Sequence, residues 1–176
     1  MKSALALAIA MPFVSVKKSD DEWQPFTSMF GRVRFEMPTA PAERHFATQA
    51  GTEMRSYASK KSEVVYEATA MEMMPDLQLV LQEAVSESEV SVSRQVLDGW
   101  VESYLDDLKV KPLKTEYAKF QKLNSRVTTA LLPGDRQIKL MSVVGKQHMY
   151  MFSVSYPKSS AGDPSKRFYE SIRFEN

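Results

Sequence analysis

Alternation of apolar and polar residues marks much of this chain as strand. Over 136–144, Ile138, Leu140, Ser142 and Val144 share one side, because successive strand side chains point to opposite faces. Over 147–156, His148, Tyr150, Phe152, Val154 and Tyr156 share a face, with Met149 and Met151 on the other. The Gly145-Lys146 step between these segments predicts a tight antiparallel hairpin. Pro157 ends its second strand, since proline cannot donate to a sheet ladder. Residues 32–37 alternate as clearly, with Val33, Phe35 and Met37 set against Arg32, Arg34 and Glu36. Further strands are expected over 23–28, 43–49, 52–59, 114–122 and 126–132. The segment 63–73 is hydrophobic on both faces, as a central strand would be, and follows a polar turn at 60–62.

Between these runs the period changes. From Pro75-Asp76 onward, Leu77, Val80, Leu81, Ala84 and Val85 recur at helical spacing, with Asp76 placed to cap. A polar break is expected over 86–91. A second helix over 93–109 carries Leu97, Trp100, Val101, Tyr104, Leu105 and Leu108 on one stripe, with Asp98, Glu102, Asp106 and Asp107 opposite. Near the end, Asp163 or Ser165 is placed to cap a short helix with Pro164 at its first position. Phe168 and Ile172 share its inner face, and Arg173-Phe174 then returns to the sheet. Strands, two helices, strands and a last short helix indicate an α+β domain with a mainly antiparallel sheet.

The length of 176 residues fits one domain over 23–176. A net charge of +1 argues against a nucleic-acid binder. With no cysteine, disulfides, thiol catalysis and cysteine-bound metal are excluded. Residues 1–16 join Lys2 to an apolar run and read as a signal peptide or a disordered leader, with 17–22 as a polar linker. The run is shorter than the roughly 20 residues that a membrane-spanning helix needs. A periplasmic or secreted location is therefore expected, with a cytoplasmic one as the alternative if the leader is not a signal.

The residues Trp23 and Phe26 leading into Val33-Arg34-Phe35-Glu36-Met37-Pro38, the helix start Leu97, Trp100, Tyr104, Leu105, and the closing Tyr150-Met151-Phe152-Ser153-Val154 and Arg167-Phe168-Tyr169-Glu170-Ser171-Ile172-Arg173-Phe174 resemble the PsbP-like family. That group includes the extrinsic photosystem II subunit PsbP and a Ran guanine-nucleotide release factor of the same fold, besides bacterial exported proteins. Asn124-Ser125 departs from the glycine-proline turn usual before Arg126. The resemblance implies an α-β-α sandwich and mostly non-catalytic roles in binding, assembly or chaperoning. Its shared positions are core residues, so they speak for the fold and not for chemistry.

Candidate chemistry is thin. The two histidines, His45 and His148, sit near no nucleophile motif, and no phosphate-cradling glycine pattern is present. Met71, Met73, Met149 and Met151 form two Met-x-Met pairs whose thioethers, with an imidazole, would suit Cu(I). Adaptable core filling accounts for the same residues without a metal. No cofactor is expected. The function that follows is a non-enzymatic exported module holding a protein or apolar partner, on the exposed edge of the strands 63–74 and 147–156. The alternative is a periplasmic small-ligand or copper-binding protein. Core methionines predict that Cu(I) titration under reducing conditions leaves the melting temperature unchanged, whereas a saturable rise would establish a metal site.

Overall fold

The computed structural model describes residues 23–48, 51–83 and 86–175. The expected leader 1–16 and linker 17–22 lie outside them, as do Ala84 and Val85 of the first helical stripe. The elements are β1 (Gln24–Ser28), β2 (Val33–Met37), β3 (Ala42–Ala47), β4 (Glu53–Lys61), β5 (Val64–Glu72), α1 (Pro75–Glu83), α2 (Ser86–Asp107), β6 (Pro112–Phe120), β7 (Leu123–Leu132), β8 (Arg136–Val144), β9 (His148–Pro157), α3 (Ser165–Ser171) and β10 (Arg173–Phe174). A seven-stranded antiparallel sheet has the order β3-β4-β5-β9-β8-β7-β6, and a small sheet the order β1-β2-β10. This is the expected α+β architecture. Helices α1 and α2 cover one face of the large sheet, while α3 and the small sheet cover the other.

The alternation read from sequence decides which side chains enter which layer. Towards α2, Ile138, Leu140 and Val144 of β8 join Met149 and Met151 of β9, and Leu97, Val101 and Leu105 of the helix close over them. Towards the small sheet, Tyr66, Ala68, Phe152 and Val154 meet Val33, Phe35 and Met37 of β2 and Phe168 and Ile172 of α3. Burying a large apolar side chain contributes about 1.5–3 kcal/mol. Phe35, Phe152 and Phe168 are fully buried and touch one another edge to face.

Two expectations need correction. The strands 63–74 and 147–156 have no exposed edge: β5 and β9 are neighbours inside the sheet, with Met71 directly opposite Met149, and the edges are β3 and β6. Hydrophobicity on both faces gave this away for β5, but strand order is a long-range property that local pattern does not carry. The helix α2 begins at Ser86, so residues 86–91 are not a break. The segment Arg173-Phe174 does return to a sheet, the small one, where it pairs with Arg34 and Val33.

Asp98, opposite the apolar stripe as expected and partly exposed, has structural partners that the sequence did not show. It accepts from Nη1 of Arg126 at 2.7 Å and from the Tyr117 hydroxyl at 2.5 Å, while Arg126, only 3% exposed, also donates Nε–H to Thr128 Oγ1 at 3.1 Å. One carboxylate thus fastens α2 to β6 and β7. Because a buried cation stripped of its close partner is costly, Asp98→Ala should lower stability by about 2–3 kcal/mol, below the usual cost for a buried pair because Asp98 is partly wet and Glu102 lies 4.0 Å from the same Arg126 nitrogen. Chemical denaturation measures this, and a loss of under about 0.5 kcal/mol, as for an ordinary surface site, would refute the fastening role.

Candidate functional site: the arginine face of the small sheet

With Val33, Phe35 and Met37 committed to the core, Arg34 and Glu36 must face outward. The register then places Arg173 of β10 directly opposite Arg34, and Thr27 of β1 on its other side. Like charges facing across an antiparallel pair destabilise it. Among the described residues Arg34 has no ion pair, and Arg173 turns Nη1 towards the carbonyl oxygens of Glu170 and Ile172 at 2.7 and 2.6 Å. Helix α3 brings a third guanidinium: Arg167 donates to Glu36 Oε2 at 3.2 Å and lies over the Trp23 ring, 4.9 Å from its centroid. These arginines, with Glu36 and Glu170, line an open concavity of about 440 Å³.

The concavity has a firm floor. Ser171 Oγ accepts the Glu36 N–H at 2.9 Å and donates to the Phe168 carbonyl at 2.6 Å, so α3 is tied to the β2 edge where β10 has ended. At the N-terminus of α3, Asp163 Oδ1 accepts from the Ser165 N–H and hydroxyl, as expected of a cap. Burial favours the neutral acid, yet the Lys139 ammonium and these Ser165 donors hold the Asp163 carboxyl below its ordinary range.

Across β10 a second concavity of about 240 Å³ is lined by Arg32, Lys146, His148, Tyr150 and Phe174. Tyr150 organises it, its hydroxyl donating to the Gly31 carbonyl at 2.7 Å. The ring lies between two glycines. A Cβ at Gly31 would fall 2.7 Å from Ala70 Cβ and 3.2 Å from Tyr150, and one at Gly145 would fall 2.9 Å from Tyr150. Burial pushes the Tyr150 hydroxyl up to about 12. His148 stands edge-on to Phe30 at 5.0 Å. Burial lowers its pKa, with Arg32 acting the same way and Glu72 opposing, so it is neutral near pH 7.

The residues singled out from sequence do not gather here. Met73, Met149 and Met151 are buried beneath α1 and α2, with Met71 packed beside them, while His148 points to the opposite face. His45 lies exposed on β3, bonded to Glu43 at 2.9 Å. Among the described residues neither histidine bonds a hydroxyl, and no group of three or more histidine or acidic side chains is placed to hold a metal. Under α2, Glu67 is raised by burial and accepts from Ser56, and Tyr104, also raised by burial, hydrogen-bonds Ser153. Arg34, Arg167 and Arg173 stand in the sequence as parts of strand and closing-segment patterns, with nothing there to single them out as a site. The signal available was an outward row on β2 carrying two arginines; the pairing that brings Arg173 beside it was not readable.

No family model matches the chain, and no curated protein matches it. The solution structure of cyanobacterial PsbP (CyanoP) from Synechocystis sp. PCC 6803 superposes with a TM-score of 0.56 over 94% of this chain and 98% of that one, at 9% identity. The fold is PsbP-like. A crystal structure from Bacteroides thetaiotaomicron VPI-5482 is similar at 11% identity over 88% of this chain and 49% of that one, and its TM-score of 0.48 carries no argument. A PsbP-like fold at such low identity fixes the architecture and leaves the role of each surface to be argued from its own residues.

A histidine whose pKa falls on folding, here from 6.5, binds fewer protons in the native state. Its contribution is full above the unfolded value and is lost as pH falls from there through the folded value. Stability should therefore drop less steeply between about pH 7 and pH 5 in His148→Gln than in the wild type, and parallel profiles would contradict the neutral, buried imidazole.

Proposed function

We propose that the protein is a non-enzymatic, exported binding module that holds an acidic segment of a protein partner against the arginine face of its small sheet. The carrying observation is the Arg34–Arg173 pair, two arginines at directly opposed strand positions with no carboxylate bonded to either among the described residues. An incoming carboxylate relieves that repulsion and forms charge-assisted hydrogen bonds with planar donors suited to it. The PsbP-like fold and the non-catalytic roles that the family resemblance implies support this reading. The apolar run of residues 1–16 supports export. The small-ligand alternative draws on a different concavity, at the far end of α2.

The test is a pull-down of the tagged full chain from envelope and cytosolic fractions of its native cells, with intact mass of the bait. The wild type should appear shortened in the envelope and enrich one protein. In Arg34→Glu/Arg173→Glu the pair stays like-charged, so the face is reversed without a new kind of strain, and retention should fall by about tenfold or more. Undiminished retention would overturn the arginine face. An uncleaved cytosolic bait would overturn export, and envelope bait without a partner would overturn the protein-binding reading.

A further inference from the structure

The C-terminal end of α2 carries a charge pattern that folding alone does not call for. A helix end is the negative pole of its dipole and favours cations, yet the last turn of α2 has no basic residue and ends in Asp106-Asp107. The chain closes there with Lys109 at φ 57, its N–H reaching the Asp106 carbonyl and the Val110 N–H the Leu105 carbonyl. Beside this end is a cavity of about 480 Å³, within the size range of small-molecule sites. Asp107 lines it, and its Oδ2 is buried with no hydrogen-bond partner among the described residues. A buried carboxylate oxygen without a donor is costly.

The opposite charge stands on the sheet side. Arg136 lines the same cavity, held in place through Nη2 by the Glu63 carbonyl at 2.8 Å and by the Ser155 carbonyl and hydroxyl at 3.1 Å each. These partners are all neutral oxygens, and among the described residues no carboxylate pairs with Arg136, Asp107 included. Leu108, Leu132 and Val65 supply an apolar wall, with Lys60 at the rim. Glu63 adds a second carboxylate beside Lys60 on the β4–β5 side, while Asp107 and the fixed Arg136 face the cavity without pairing with each other, next to an aliphatic surface.

We propose that this cavity binds a small aliphatic zwitterion, a free amino acid or dipeptide. Its ammonium meets Asp107 at the negative helix end, its carboxylate meets Arg136, and its side chain lies against Leu108 and Leu132. The site is separate from the arginine face and stands or falls independently of it.

The test is an NMR titration of the full chain with leucine and with dileucine, alongside leucinamide, which lacks the carboxylate, and 4-methylpentanoate, which lacks the ammonium. Saturable shifts confined to residues around 60–65, 107–108, 132–136 and 155 are expected from at least one zwitterion. Each single-charge analogue should bind at least about tenfold more weakly, and Asp107→Asn should weaken the zwitterion by about tenfold while leaving 4-methylpentanoate unchanged. No saturable shift at about 10 mM of either zwitterion would overturn the proposal, as would equal binding of the analogues. The analogue series uses the wild-type chain, so the result does not depend on the variant folding.

Discussion

The structure depends on β9 serving two cores at once. Its even positions, Tyr150, Phe152, Val154 and Tyr156, face the small sheet, and Met149 and Met151 between them face α2. Flanked by β5 and β8, the strand leaves neither face to water. A shift of one residue in its register would exchange the two sets and unpack both layers together. Tyr150 adds a fixed point. Its hydroxyl holds the Gly31 carbonyl just before β2, and Ser28 of β1 donates to the Tyr57 hydroxyl of β4 at 3.0 Å, so buried hydrogen bonds register the small sheet on the large one.

That lock determines where the open chemistry lies. Because Val33, Phe35 and Met37 belong to the core, Arg34 and Glu36 are obliged to face outward, and the short β10 then sets Arg173 beside Arg34. The positive charges of this face are spaced by strand register, on a backbone anchored at Ser171 and Tyr150. Planar donors set at fixed backbone positions match a carboxylate in geometry as well as charge, which is the physical case for binding rather than for mere solubility. On the α2 side of the large sheet, the Asp98–Arg126–Tyr117 cluster uses charge differently, to hold α2 and the sheet together.

Much of the fold was legible because it is written in short periods. The β8–β9 hairpin, the inward row of β2 and the α2 stripe Leu97, Val101, Leu105 follow directly from alternation and helical spacing. What escaped was long-range. Nothing local says that β5 lies beside β9, that residues 173–174 pair with β2, or that Asp98 turns towards a buried Arg126. The methionines show the same limit from the chemical side. Their spacing suggested thioether pairs, and only the pairing of Met71 with Met149 under the helices reveals that they pack with Leu97 and Val144. The arginine face needed both levels, a local alternation and a pairing between residues far apart in the chain.

The account's central claim is that a partner is held by exposed guanidinium groups rather than by apolar surface. The most direct measurement is retention of the partner as sodium chloride is raised from about 0.05 to about 0.5 M, which shortens the screening length severalfold. The account predicts that retention falls steeply and continuously with salt. Retention that stays level, or grows, would contradict it and place the contact on an apolar patch elsewhere on the protein.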